Sequence, residues 1–386
     1  MERPSIVFLV NGPAGSAMGI RASSFAGCLA DDFDIHLFYR SERKVQSIFD
    51  FLRQLTRVRP RLCYVFDIAF SGVLAAGFYR TISGCRMVVD TGDAIYELSR
   101  LSGSRGWLGL LATKLLEGYA LRRSDRVVVR SHPHQELLAS RGITADVIPD
   151  GVDTKQFFPS EEKEFRRTRN LDNSTVIGLL GSIIWNARYQ TCYGWELLEA
   201  LDKLRDWPVK GLIVGDGSGL AELKKRTAAL RLDDRVVFAG RVPYEDLPHW
   251  INAMDICLST QTNDIAGQVR TTGKLPLYLA CGRFVLSTDV GEAARVLPAE
   301  MLVPYTGSRD PAYPNRLAER VETLLKEPER LRGRPDAVGL AQTYFDYSLL
   351  AGNLRSILRK LLCVKAGEPN EAFVSGGSQP QGESRR

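Results

Sequence analysis

The sequence predicts an α/β protein built from two doubly wound domains, and three observations carry that expectation. At 386 residues the chain is longer than one compact core usually holds. Short apolar runs alternate with helical stretches through both halves, the pattern of parallel strands covered by helices on both faces. Several of those runs end in Gly-containing turns, at the strand ends where ligands approach such sheets.

Composition is that of an ordinary globular protein, 44% hydrophobic and 25% charged. The net charge of +6 is concentrated in the first half. Residues 1–170 carry about 24 basic and 19 acidic side chains, leaving about 27 and 26 for the rest. That excess suits an anionic ligand or an acidic membrane surface and is too small to argue for nucleic acid. The seven Cys are scattered, without CxxC or a Cys/His cluster, so reduced thiols are expected and a bound metal is not. The apolar run at residues 6–10 is too short for a signal peptide, and no apolar stretch approaches a membrane span. A soluble, cytoplasmic protein is expected, attached to a membrane at most peripherally.

In the first half, SIVFLV (5–10) reads as a buried strand and 11–30 as a Gly-rich turn feeding a helix. The turn is neither GxGxxG nor a P-loop, since no GK[ST] follows. Residues 33–40, 61–68 and 85–93 give three further strands. Asp90, Thr91, Gly92 and Asp93 fall at the carboxyl end of the last, where ligands bind, although Asp93 could equally cap the helix after it. Residues 105–123 place Leu at helical spacing ahead of a basic end. Core packing is the expected fate of that stripe, a membrane surface the alternative. Residues 124–131 are another strand, followed by His132 and His134 as loop residues without metal-ligand company. An irregular connection over 145–159 and a charged linker over 161–173 close this half.

The second half repeats the plan. Residues 174–185 form a first strand ending in Gly181-Ser182, with Asn186-Ala187-Arg188 in the loop and a helix at 193–204. A strand, the turn Gly215-Asp216-Gly217 and a helix occupy 209–230. A strand, the turn Gly240-Arg241, a helix and a strand occupy 235–260. The stretch 264–296 is the pivot of the chain. Thr271, Thr272 and Gly273 open a helix over 274–280 that Cys281-Gly282 closes, and an apolar strand follows. A helix start carrying Lys274 and two hydroxyls is a ready anion site. A helix at 311–326 and long helices over 335–362 precede a polar tail, 365–386, expected to be disordered.

Taken together, these segments resemble a glycosyltransferase of the GT-B fold, of the family 4 type. The resemblance rests on SDRVVVRSHPHQELLASRGI with DVIPDGVDTKQFFP, GLLGSI with NAR, LIVGDGSGLAELKK, RVVFAGRVPYEDLPHWINAMDICLST and GKLPLYLACGRFVLSTDVGE, in that order. It covers about residues 1–360 and is stronger in the second half. It implies two facing Rossmann-like domains with an interdomain cleft: 1–160 on the acceptor side, 174–335 for the nucleotide sugar, and 336–364 packing back on the first. It also implies retaining, metal-independent transfer of a hexosyl group from a nucleotide-diphospho-sugar, with no other cofactor. On this resemblance Gly19, Gly181, Arg188, Lys274 and the Thr271–Gly273 amides contact the diphosphate. Gly215, Asp216, Gly217, Gly240, Arg241, Val242 and Leu277 belong to the base and ribose region. Asp93 takes the catalytic or acceptor-side position.

Three departures stand out. The family's two Glu residues, seven apart, become Val269 and Leu277; the Arg after the strand-end Gly becomes Ser182; the first-domain His becomes Gly92. Gln268, Asp264 or Glu292 could take over the ribose contact, or the donor differs. A non-catalytic partner subunit or sugar-nucleotide sensor, and an epimerase or phosphorylase of the same fold, remain alternatives. The acceptor carries no readable code; lipid-linked sugar, polysaccharide and small metabolite stay open, with cell-envelope polysaccharide or glycolipid assembly favoured by the basic first half.

Overall fold

The structure is a computed structural model that describes residues 3–103, 105–331 and 334–363. Two six-stranded sheets, parallel throughout, lie in succession along the chain. The first contains β1 (Ser5–Val10), β2 (Asp34–Tyr39), β3 (Leu62–Phe66), β4 (Arg86–Thr91), β5 (Arg126–Val129) and β6 (Ala145–Val147), in the order β2-β1-β3-β4-β5-β6. The second contains β7 (Thr175–Leu180), β8 (Val209–Val214), β9 (Val236–Gly240), β10 (Ile256–Ser259), β11 (Phe284–Thr288) and β12 (Leu302–Val303), in the order β12-β11-β10-β7-β8-β9. Burial on both faces explains why the central strands are unbroken Val, Ile, Leu and Phe runs. Each sheet reverses its strand order once, beside β1 and beside β7, and the crevice outside those carboxyl ends is where a doubly wound sheet binds ligand.

Two passages of chain cross between the sheets side by side. Val152 donates its N–H to Phe345 and accepts from Tyr347, and Gly151 lies so close under the Tyr347 ring that a Cβ there would stand 2.6 Å from it. The helix Tyr347–Cys363 then lies on the first sheet's layer, burying Leu350, Leu354 and Leu358 with Phe25 and Leu29. Arg355 and Arg359 both reach Asp32 from that helix.

Several local expectations change. The connection at 145–159 begins with the sixth strand, β6, because Ala145–Val147 pairs with Val127–Val129. Residues 161–173 contain a short helix, Lys163–Thr168, whose Arg166 ties it to Asp255. His132 and His134 belong to the helix His132–Ala139, capped by Ser131. The helix Trp107–Arg123 does not bury its Leu stripe: Thr113, Glu117, Ala120 and Leu121 face inward, while Trp107, Leu108, Leu111 and Leu115 face out. The reason is Glu117, whose buried carboxylate is held inward by the N–H groups of Ile95 and Tyr96, the first turn of the helix Ile95–Ser102. Among the described residues no helix is long and apolar enough to cross a membrane. The tail 365–386 lies outside the described residues.

Candidate functional site

Glycines shape the floor of the cleft. Gly181, Gly215, Gly217 and Gly240, at the ends of β7, β8 and β9, have φ of +151°, +150°, +154° and +69°, a region that L side chains avoid. A Cβ on Gly215 would stand 1.9 Å from the Gly181 carbonyl oxygen, and one on Gly217 would stand 2.4 Å from that of Ile183. The strand ends are thus laced together, Gly181 N–H to Val214 and Gly215 N–H to Gly240, leaving an open shelf. Asp216 caps the Gly217 N–H at 2.7 Å.

Three cavities share walls along this shelf. One of about 970 Å³ is lined by Gly215–Gly217, Arg241, Val242 and Tyr244, with Ser16, Ala17 and Ile20 from the first domain. A second, about 320 Å³, shares Gly181 and Tyr244 with it and adds Asp150, Thr272, Gly273, Lys274 and Leu277. The third, about 590 Å³, shares Lys274 and Thr272 with the second and adds Tyr193, Glu196, Asp264, Arg270 and, from the first domain, Leu98, Leu101 and Ser102.

Lys274 stands where the second and third of these spaces meet. Its Nζ lies 3.7 Å from the centroid of the Tyr193 ring and would stand 3.7 Å from a Cβ on Gly181. Among the described residues no carboxylate pairs with it. Burial, and then the charge of Arg270, bring its pKa down to about 7. A cation held over an aromatic face, without a counter-ion, on a shelf of glycines is a site prepared for an anion. Thr272 Oγ1 meets Ser259 Oγ at 3.2 Å, and Thr271 Oγ1 is buried with no hydrogen-bond partner among the described residues. In the third cavity, burial pushes Glu196 up to about 7.

The first domain closes over the shelf through named contacts. Asp93 Oδ1 accepts from Arg270 Nε at 2.7 Å; Ser131 Oγ donates to the Val269 carbonyl at 2.5 Å; His132 Nδ1 lies 2.8 Å from Glu292 Oε1. Behind that wall Asp90, fully buried, accepts from Arg21 at 2.9 Å, Arg130 at 3.3 Å and the Tyr64 hydroxyl at 2.9 Å. Gly92 leaves the room Arg130 uses, since a Cβ there would stand 2.7 Å from the guanidinium.

The structure therefore gathers Gly181, Gly215, Asp216, Gly217, Arg241, Val242, Thr272, Gly273, Lys274 and Leu277 on one cleft. Gly240 underlies it, through its bond to Gly215. Gly19 is buried under the Pro13–Ala14 backbone, where a Cβ would stand 2.1 Å from a carbonyl oxygen; its neighbours Ser16 and Ile20 line the cleft. Arg188 is exposed, lines none of the three cavities and donates to the Leu101 carbonyl at 3.4 Å. Asp93 reaches the third cavity only through Arg270. Of the substitutes considered for the ribose contact, Asp264 lines the third cavity while capping the helix Ile265–Val269, Gln268 holds Asn263 and Gly291, and Glu292 holds His132. Sequence reasoning missed Asp150, Tyr193, Glu196 and Tyr244, since a single Asp, Glu or Tyr carries no signal until the fold brings it to the cleft.

Residues 175–327, nearly the whole second sheet with its helices, match the sequence model of the family described as glycosyl transferases group 1. A 2-deoxystreptamine glucosyltransferase of Streptomyces kanamyceticus is 29% identical over 230 residues, 55% of this chain and 54% of that one. A GDP-mannose-dependent monoacylated alpha-(1-6)-phosphatidylinositol monomannoside mannosyltransferase of Corynebacterium glutamicum is 27% identical over 310 residues, 76% of this chain and 75% of that one. The chain thus spans about half the length of the first relative and three quarters of the second. Among solved structures, the sucrose-phosphate synthase of Thermosynechococcus elongatus superposes with a TM-score of 0.76 at 17% identity, over 93% of this chain and 99% of that one. Anabaena HepE in complex with UDP-glucose superposes with a TM-score of 0.72 at 18% identity, over 92% and 99%. The shared architecture is the GT-B fold.

Proposed function

We infer that this chain, a GT-B glycosyltransferase of the group 1 type, takes a nucleotide-diphospho-sugar into the cleft and passes the sugar to an acceptor hydroxyl with retention at the anomeric carbon. One observation carries the reading: Lys274, a cation without a carboxylate partner among the described residues, beside Gly181 where the second and third cavities meet. As the bond to the sugar breaks, negative charge grows on the diphosphate, and a fixed ammonium there lowers the barrier. That charge supports transfer without a bound metal. The base and ribose fit the 970 Å³ space beside Gly215–Gly217 and Arg241–Tyr244, and the sugar fits the 590 Å³ space beside Arg270, within reach of the Asp93 wall. Without carboxylates at Val269 and Leu277, Tyr244, which lines both the 970 Å³ and the 320 Å³ spaces, is a polar group placed to meet the ribose.

HepE with UDP-glucose, a structural neighbour, makes UDP sugars the first donors to test. The acceptor is proposed only by class, a hydroxyl on a polysaccharide or glycolipid of the cell envelope. The test is a thermal-shift panel of UDP, GDP, dTDP, ADP and CMP, then the matching sugar nucleotides with and without Mg²⁺, and NMR of the product's anomeric proton. A ligand at about 100 times its Kd stabilises the fold by about 2.7 kcal/mol. One metal-independent winner with a retained anomer supports the reading. A flat panel overturns it and favours a non-catalytic partner subunit.

A further inference from the structure

A group of exposed apolar side chains lies away from the cleft floor. On the helix Trp107–Arg123, Trp107, Leu108, Leu111, Leu115 and Tyr119 point to solvent, Trp107 with 73% of its surface open. On the helix Phe70–Ser83, Leu74, Phe78 and Ile82 form a second outward stripe at four-residue spacing. The two stripes meet where the Tyr119 hydroxyl lies over Gly77, 2.4 Å from where a Cβ would stand. Scattered surface apolar residues are normal, but a continuous face of this kind marks an interaction site.

Its charge says what covers it. The helix Phe70–Ser83 has no acidic residue, and the helix Trp107–Arg123 has only Glu117, buried and held by the Ile95 and Tyr96 N–H groups. Lys114, Arg122 and Arg123 are exposed among the Leu residues, with Arg105 just before the helix. The neighbouring helix Gln46–Val58 adds exposed Phe49, Arg53 and Arg57 beside one exposed acid, Asp50. Trp and Leu surrounded by cations, almost without anions, is the chemistry of a surface that settles into the headgroup layer of an anionic bilayer. A second copy of the same face would set like charges against each other.

We propose that the face formed by the helices Phe70–Ser83 and Trp107–Arg123 docks on an anionic lipid bilayer, with Trp107, Leu111, Leu115 and Phe78 entering the headgroup region. The inference is independent of the transfer reaction. It also places the bilayer beside the cleft, because Trp107 follows closely on Leu101 and Ser102, which line the 590 Å³ cavity. An acceptor carried on a lipid would then meet the cleft from its membrane side.

Trp107 provides the probe, since the other four Trp residues, Trp185, Trp195, Trp207 and Trp250, all lie in the second domain. The full chain is mixed with vesicles of phosphatidylcholine alone or with added phosphatidylglycerol, and partition is read by co-sedimentation. Depth is read by quenching with brominated lipid, comparing wild type with Trp107→Phe. Partition into the anionic vesicles that weakens with salt is expected, with quenching that Trp107→Phe abolishes. Phe78→Ser with Leu111→Ser lowers the partition coefficient by about tenfold or more. The variant Lys114→Glu, Arg122→Glu, Arg123→Glu removes the preference for phosphatidylglycerol. Unchanged melting curves and nucleotide binding certify both variants as folded. No partition at low salt, or binding that both variants retain, overturns the proposal. So does a concentration-dependent dimer that Phe78→Ser with Leu111→Ser dissolves in the absence of any vesicle binding.

Discussion

Arg270 Nε donates to Asp93 Oδ1 at 2.7 Å, joining the loop that opens the Lys274 helix to the first-domain strand end 177 residues away. The pair does two things at once. It holds the first-domain wall over the cleft, and it fixes the Arg270 charge that helps hold the Lys274 pKa down. With Arg270 and Asp93 about 41% and 35% exposed, solvent screening keeps the contribution to stability below about 1 kcal/mol. Asp93→Asn lowers kcat by about 10²–10⁴ if the carboxylate takes the acceptor proton. Arg270→Ala loses less, and the double variant falls short of the product of the two losses because the residues act as a pair. Steady-state kinetics on the three variants decide; a kcat for Asp93→Asn within about twofold of wild type removes Asp93 from the chemistry.

Lys274 predicts two pH dependences of opposite sign. With a folded pKa of about 7 against 10.5 for an unperturbed lysine, the unfolded chain binds more protons between those values. Stability of the free protein from this group therefore rises as pH rises from about 7 towards 10.5. A bound diphosphate favours the ammonium, so above pH 7 binding must take up a proton. Donor affinity then falls by up to about tenfold per pH unit. Titration calorimetry in buffers of different ionisation enthalpy reads the proton directly. Lys274→Ala abolishes the uptake and weakens binding by about tenfold or more. Affinity that is flat across this range shows that the diphosphate does not sit on Lys274.

The buried Asp90 is structural. It faces Arg21 and Arg130, and although burial alone would raise its pKa, the two guanidiniums outweigh that and hold it below the usual carboxylate value. Asp90→Ala leaves two buried guanidiniums to the single carboxylate of Asp150, 3.7 and 3.4 Å away, and costs about 3 kcal/mol, seen as a lower urea midpoint. Tyr64→Phe removes only the hydroxyl bonded to Asp90 and costs about 1 kcal/mol. A loss of comparable size for both variants contradicts a network centred on the carboxylate.

Strand–helix alternation and glycine turns were legible from sequence because they are local: a buried parallel strand must be apolar on both faces, and a φ near +150° is one that Gly alone adopts readily. That is why the helix Lys274–Ala280 and the shelf of Gly181, Gly215, Gly217 and Gly240 lie where the chain predicts. What failed was non-local. Leu spacing over 105–123 says that one face is apolar and not which way it points; the buried bonds of Glu117 turn it outward. Arg188 follows a strand-end loop as a phosphate ligand would, and its contact with the Leu101 carbonyl across the domain gap is one that no local pattern announces. His132 looked idle because its partner, Glu292, lies 160 residues on.

That His132–Glu292 contact gives the final prediction. The Glu292 hydrogen bond, outweighing burial, raises the pKa of His132 above its ordinary 6.5. The ionic part of this interdomain contact is therefore fully present below about pH 6.5 and is lost as pH rises through the raised value. The backbone bond from the His132 N–H to Glu292 at 2.8 Å persists at either end. His132 is nearly half exposed, so the ionic part is worth less than about 1 kcal/mol, enough to shift the balance of closed and open cleft without unfolding either domain. Small-angle scattering of the free protein should show a slightly larger radius of gyration at pH 8 than at pH 5.5. His132→Ala should flatten that response at the open end, and Glu292→Gln should open the cleft further by weakening both bonds. If the His132→Ala protein still closes on acidification as the wild type does, another group drives the closure and this contact is a passive one.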